Sequence, residues 1–358
     1  MHLPFTTAPE SICLLRLSAV GDVCHALAIV RTIQKHWPQT KITWIIGKTE
    51  HSLLKGIDNI EFIVFDKHQG LAAYRSIRKT LRGREFSALL HMQMSLRASL
   101  ISVLVKSPVK LGFDRKRAHD LQWLFSNHKI PCIDKQHVLE SFFTFIHTLG
   151  LKQTDLEWNI PVTDEDKHKA LTLVGNHTPY VVISPCSSHA YRNWTRQGYA
   201  DVAKYLIERH NKCVVVTGGA SDIERNYGEY ICRATKKDKV IDLVGKTSLP
   251  QLLAILKNAD CVVAPDSGPA HMATAVNTPV VGLYATTNPD RARAYLSKAL
   301  VINKYPEAVQ EKYHKAVNAV PWGTRVRDDG TSEGTMARIQ ASDVNLKIDA
   351  FYNNAYSK

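Results

Sequence analysis

The chain has 358 residues, 44% of them hydrophobic and 22% charged, with a formal net charge of +13 at pH 7. That size gives room for two domains with separate cores, and the balance of apolar and charged residues argues against wholesale disorder. The absence of any apolar run of about 18 residues argues against a transmembrane helix, and Met1 to Phe5 lacks the basic and apolar regions of a signal peptide. Ile12 to Leu17 reads as a first, buried strand, and Val23 to His36 as a helix stopped near Pro38. Strands follow at Ile42 to Ile46, Phe62 to Phe65 and Ala88 to Met92. Helices are expected at Leu71 to Leu81, Leu96 to Val105 and His137 to Leu149.

Residues 151–178 are polar, contain Pro161 and carry a charged helical piece near Asp164. They read as a linker with a short leading helix. The alternation then restarts. Strands are expected at Tyr180 to Ile183, Val214 to Thr217, Val240 to Val244, Cys261 to Ala264 and Val280 to Tyr284. Helices are expected at Tyr199 to Glu208, Ile223 to Ala234 and Leu249 to Lys257, with a final one at Gln340 to Tyr352. Apolar strands alternating with helices imply parallel sheets covered on both faces. The fold class is therefore α/β, with two Rossmann-like domains facing a cleft. The expected division is 1–150, then the linker 151–178, then 179–338, then a C-terminal helix at 339–358, for which the N-terminal domain is one place. Val317 to Met336 has no assigned place.

Seven cysteines occur with no C-x-x-C spacing. They read as buried thiols of a reducing cytoplasm rather than a disulfide or zinc set. The histidines show no metal-binding spacing either, so no metal or cofactor is expected. Positive charge is concentrated in the first half: residues 1–150 carry twenty Lys and Arg against eleven Asp and Glu. The stretch from Arg75 to Arg117 holds eleven cations against Glu85 and Asp114. Such a field suits an anionic partner, whether nucleic acid, a phosphorylated glycolipid or an anionic membrane face. The plain alternative is a solvated basic surface. Nucleic acid would call for interleaved aromatics, and only Tyr74, Phe86 and Phe113 qualify.

Four strand ends carry residue types that can do chemistry. After the first strand, Gly21 permits a tight turn or a close approach of a ligand to the backbone, and Asp22 stands at a helix start where the dipole favours an ionised carboxylate. An ionised carboxylate in a cleft is a general base; otherwise it is a helix-stabilising acid. After Ile183 come Ser187, Ser188 and Arg192, hydroxyls and a guanidinium suited to phosphate, or else an ordinary polar loop. Asp266-Ser267-Gly268-Pro269-Ala270-His271 turns a strand into a helix, where backbone N–H groups and the dipole attract a phosphate. The plain reading makes Ser267 an ordinary N-cap. Gly218 and Gly219 let a ribose or base lie against the backbone, and Glu224 is a candidate for its hydroxyls.

Three segments together resemble the ADP-heptose:lipopolysaccharide heptosyltransferases. They are Leu15-Arg16-Leu17-Ser18-Ala19-Val20-Gly21-Asp22-Val23, the basic-x-Trp element Arg192-Asn193-Trp194, and Asp266 to His271 against D-[ST]-G-x-x-H. The likeness runs along nearly the whole chain and looks nearest to heptosyltransferase I. It implies a GT-B architecture and an inverting, metal-independent transfer of heptose from ADP-heptose to the Kdo of lipid A. Asp22 matches the catalytic base. Ser187, Ser188, Arg192, Gly218, Gly219, Glu224, Thr247, Asp266, Ser267, Gly268, Pro269 and His271 match the donor side. Ser18, Gly21, Arg97, Arg115, Arg117 and His137 match the acceptor side. Arg192 stands where Lys is commoner, and Pro269, standing where Leu is commoner, removes one N–H. The resemblance further implies a cytoplasmic enzyme at the anionic inner-membrane surface, with no nucleic acid partner. A GT-B enzyme using another nucleotide sugar, a nucleotide-sugar epimerase and a basic nucleic-acid-binding protein are the rival readings.

Overall fold

The structure, a computed structural model, describes residues 3–235, 237–328 and 334–355. It divides into two compact units, Met1–Pro161 and Val162–Lys358.

In the first unit the strands are β1 (Ser11–Leu15), β2 (Lys41–Gly47), β3 (Ile60–Phe65), β4 (Ala88–His91), β5 (Val109–Gly112) and β6 (His128–Lys129). Its helices are α1 (Val20–His36), α2 (Lys48–Leu54), α3 (Leu71–Leu81), α4 (Leu96–Leu104) and α5 (Val138–Leu149). The strands form a parallel sheet in the order β3-β2-β1-β4-β5-β6. Helices α3 and α4 pack together and bury Ala73, Ile77, Ala98 and Ile101 in a core with Cys13, Leu15 and Ile45. Helix α5 packs against α1. The capping box of His137 and Glu140 starts α5, and Gly150 at φ 113° ends it.

Residues 151–161, read from the sequence as linker, pack along α1 instead. The Trp158 indole donates to Cys24 O at 2.9 Å, and Asp155 pairs with Lys35 at 2.8 Å and His36 at 2.7 Å. A buried tryptophan in this polar run fastens it to the helix.

In the second unit the strands are β7 (Tyr180–Ile183), β8 (Cys213–Val216), β9 (Val240–Asp242), β10 (Val262–Pro265), β11 (Val280–Tyr284) and β12 (Val301–Asn303). The helices are α6 (Asp164–Val174), α7 (Arg196–His210), α8 (Asp222–Ala234), α9 (Leu249–Lys257), α10 (Gly268–Ala275), α11 (Pro289–Ala292), α12 (Tyr305–Tyr313) and α13 (Ala341–Ala355). Its sheet is again parallel, in the order β12-β11-β10-β7-β8-β9.

The sequence offers the N-terminal domain as one place for the C-terminal helix. The structure puts α13 on the second unit, where Val344, Ile348 and Tyr352, four residues apart, enter that unit's core. Tyr205 and His210 of α7 both bond Asp349 at 2.8 Å. Residues 356–358 of the expected helix lie outside the described residues. Of Val317 to Met336, the part up to Asp328 packs on α12: Tyr305 donates to Thr324 O and Tyr313 to Arg325 O, each at 2.9 Å. Residues 329–333 lie outside the described residues.

Candidate active site

Both sheets reverse direction once. In the first, the chain moves from β1 to β2 and β3, then returns to β4 on the other side of β1. In the second, it moves from β7 to β8 and β9, then returns to β10. Loops diverge at such a point, and ligands of open α/β sheets settle there at the carboxyl ends of the strands.

At the first reversal Arg16 leaves β1 and turns inward. Its Nη1 donates to Met92 O at 2.5 Å, its guanidinium lies 5.3 Å from the Phe142 ring centre, and its Nη2 pairs with Asp22. The arginine side chain is 10% exposed and the carboxylate 34%. Burial draws the guanidinium below its usual range, and the Asp22 charge opposes that. Asp22 stands in the first turn of α1, whose N-cap Ala19 supplies no side-chain bond. The helix therefore begins with open N–H groups beside a carboxylate. Gln93, just past β4, fixes the approach: its Oε1 accepts from Leu17 N at 2.6 Å and Ser18 N at 3.2 Å, and its Nε2 donates to Ser18 Oγ at 3.2 Å. Gly21 is read from the sequence as permitting either a tight turn or a close approach of a ligand to the backbone; the tight turn is not what the structure shows. It lies instead inside the first turn of α1 without a positive φ, because the helix starts three residues earlier than the apolar pattern suggested.

At the second reversal the same kind of pair recurs. Arg192 Nη1 lies 3.2 Å from Asp266 Oδ2, with side chains 12% and 11% exposed. Burial alone would raise the Asp266 carboxyl, but His271, Arg192 and Thr287 outweigh it and hold it down to about 2. His271 Nε2 is 3.8 Å from the carboxylate. Ser267 occupies the N-cap position of α10, yet its side chain makes no cap bond, and its buried Oγ has no hydrogen-bond partner. The neighbouring helices behave otherwise: Thr163, Thr195, Ser221, Ser248 and Asn288 all cap α6, α7, α8, α9 and α11 with their side chains. The plain N-cap reading of Ser267 thus fails, and α10 presents an unused hydroxyl and unused N–H groups on the positive end of its dipole. Pro269 falls at the start of this helix, where a missing N–H is least costly.

Around this centre Ser187 N donates to Asn193 Oδ1 at 2.8 Å, while Ser188 is exposed. Trp194 is buried against Gly198, where a Cβ would come within 2.3 Å of its ring. That tryptophan is structural. Gly218 and Gly219 follow β8, and Glu224 closes their loop, accepting from Gly219 N at 2.7 Å and Ser221 Oγ at 2.6 Å. The carboxylate expected to meet a ribose is therefore engaged locally. Thr247 is half-buried just before α9. Among the described residues, no three His, Cys, Asp or Glu side chains gather as metal ligands.

The model of glycosyltransferase family 9 (heptosyltransferase) matches residues 74–320. The chain belongs to this family. It is 40% identical over 343 residues to the lipopolysaccharide core heptosyltransferase OpsX of Haemophilus influenzae, covering 95% of this chain and 96% of that one. In fold it resembles a family 9 glycosyltransferase of Veillonella parvula, with a TM-score of 0.77 and 19% identity over 96% of this chain and 98% of that one. It likewise resembles the E. coli heptosyltransferase WaaC with ADP, at 0.71 and 19% over 95% and 99%. The α/β GT-B fold and the heptosyltransferase class read from the sequence both hold.

The remaining residues expected to meet the acceptor are variously engaged in this family 9 enzyme. Arg97 is exposed on α4, and Arg115 lies 5.0 Å from the Trp123 ring centre. Arg117 is committed to its own loop, pairing with Asp114 and donating to Gln136 and Ser141 at 3.0 Å and to Pro131 O at 2.8 Å. His137 is buried; its Nδ1 accepts from Leu139 N at 3.1 Å, which leaves the proton on Nε2. Arg16 and Gln93 were assigned no role in the sequence. A cation ending an apolar strand is a signal for the first, and nothing in the pattern singles out the second. Thr287 pairs with Arg325 in an antiparallel bridge. Burial together with Arg192, Arg325 and Arg327 lowers the pKa of His189, so these cations share one neighbourhood. The alternation Arg325-Val326-Arg327, with Val326 buried, was the available sign.

Proposed function

We propose that this lipopolysaccharide core heptosyltransferase takes ADP-heptose as donor and the Kdo of a lipid A as acceptor, inverting the anomeric centre, and acts as a heptosyltransferase I. The observation that carries the donor half is the unused Ser267 hydroxyl on the open N-terminus of α10, beside Arg192. A diphosphate is the group that satisfies such donors, and charge grows on it as the glycosidic bond breaks. Asp22 supplies the base. It removes the proton from the acceptor hydroxyl as that oxygen bonds the anomeric carbon. ADP departs from the opposite face with the bonding electrons. Arg16 keeps the carboxylate aimed, and Ser187, Ser188 and Arg192 take up the diphosphate charge. The uneven basic charge of the first half suits a phosphorylated, carboxylate-bearing glycolipid at the cytoplasmic face of the inner membrane.

The test is turnover of the full chain with ADP-heptose, UDP-glucose or GDP-mannose on Kdo-lipid A, following nucleotide release and acceptor mass together. Transfer from ADP-heptose alone supports the reading. Preference for another sugar nucleotide, or for an acceptor already bearing heptose, overturns the corresponding half.

A further inference from the structure

Helix α4 buries two hydroxyls beside its apolar core residues Ala98 and Ile101. Ser99 and Ser102 are fully buried: the first is 3.4 Å from His91 Nε2, and the second donates to Ser99 O at 2.7 Å. Its outer face carries Leu96, Leu100 and Val103, which are 55%, 47% and 60% exposed. These three occupy positions i, i+4 and i+7, so they stand one above another in a single stripe. Scattered exposed leucines need no explanation, but a stripe on a helix that buries its hydroxyls does.

The neighbouring α3 carries the complementary charge. Arg75, Arg78 and Lys79 are exposed on it, as is Arg82 at its C-cap, and none makes an ion pair or side-chain hydrogen bond among the described residues. Some other cations of this half are neutralised: Arg84 pairs with Glu61, Lys106 with Glu85 and Lys116 with Asp134. An apolar stripe beside a row of unpaired cations is the pattern of a surface that lies on an anionic bilayer. Among the described residues no helix is long and apolar enough to cross one.

We infer that α3 and α4 form the membrane-docking face of the first unit, with Leu96, Leu100 and Val103 entering the interfacial layer and the α3 cations resting on acidic headgroups. This rests on the lipid-borne acceptor proposed above, and gives that acceptor's membrane a definite contact. Both parts are needed, because a few apolar side chains alone bind a bilayer only marginally. Each cation near an anionic surface adds about fivefold to partitioning.

The experiment is co-sedimentation of the full chain with vesicles of phosphatidylethanolamine and phosphatidylglycerol, against vesicles of phosphatidylcholine. Binding to the acidic vesicles is expected, and it should weaken as salt screens the charges. The double variant L100S/V103S, changed only at exposed positions, should lower that binding roughly tenfold. The same variant should keep its thermal melt and its heptose transfer to a short, lipid-free Kdo acceptor. R78E/K79E should lower vesicle binding as well. Unchanged binding of L100S/V103S overturns the inference. So does a concentration-dependent dimer, seen by sedimentation without vesicles, that this variant abolishes; the face would then belong to a second copy. Failure of the unaltered chain to transfer heptose to the soluble acceptor, with vesicle binding intact, overturns the acceptor assignment and leaves the docking face standing.

Discussion

Arg16 and Asp22 form an ion pair in which the arginine is buried and the carboxylate reaches solvent. The carboxylate offered as the base is thus also the counter-charge of a guanidinium at the head of β1. Removing either partner has a different consequence. Asp22→Asn removes the carboxylate bonded to buried Arg16 and leaves only the weaker influence of Glu50, a defect worth about 3 kcal/mol of stability. It also removes the base, for a loss on the order of a hundredfold or more in transfer rate. Arg16→Met leaves a carboxylate that water can reach, so stability should fall by about 1 kcal/mol. Its rate should fall roughly tenfold, through lost aim rather than lost chemistry. Urea melts alongside turnover measure both, and a fully active Asp22→Asn protein sinks the assignment of the base.

Ser267→Ala separates binding from folding. Deleting a buried hydroxyl that has no partner removes an uncompensated polar group, so the thermal midpoint should stay or rise slightly. A diphosphate that used that hydroxyl should bind roughly tenfold more weakly, as read by titration calorimetry with ADP. Unchanged ADP affinity would show that the hydroxyl does not face the donor.

Asp266 links the second unit to pH. Its folded carboxyl is depressed from 3.8 to about 2. The contacts of Asp266 with His271, Arg192 and Thr287 therefore contribute stability that is fully present above about pH 4 and is lost as pH falls toward 2. The contribution is about 2 kcal/mol. Asp266→Asn should erase this acid-linked loss while lowering neutral stability by about 3 kcal/mol, because Arg192 remains buried and charged. Denaturant melts between pH 2 and 7 report both.

Arg192→Met should lower kcat by on the order of a hundredfold, the usual effect of removing one donor to a developing anion. Arg192→Lys should keep most of that rate. The residue meets Asp266 through one nitrogen, so a point charge can replace its fork. A lysine variant as slow as the methionine one would mean that geometry, not charge, is what the leaving group requires.

Much of the fold was legible because its strands are buried on both faces and read as unbroken apolar runs. The exceptions share a cause. In β5 the apolar run is interrupted by Lys110 and preceded by Pro108, while β6 and β12 are only two and three residues long. Of the candidate site, the motifs singled out Asp22, Arg192 and Asp266, and the structure gives each a charged partner; their roles are the proposal tested above. The site was illegible where a side chain acts from a distant strand. Gln93 lies some seventy-five residues from Ser18, and only the pairing of β1 with β4 brings them together. Glu224 shows the reverse: its residue type suited a ribose, and the local geometry that also engages the carboxylate in the glycine loop was not visible in the pattern.

The strap of residues 151–161 changes where this protein can be cut and rejoined. A fragment ending at residue 150 would expose the α1 surface that Trp158 covers and leave Lys35 and His36 without Asp155. One ending after Pro161 would carry its own fastening. Exchange of halves between heptosyltransferases, the direct way to recombine donor and acceptor preferences, should therefore be made at that proline.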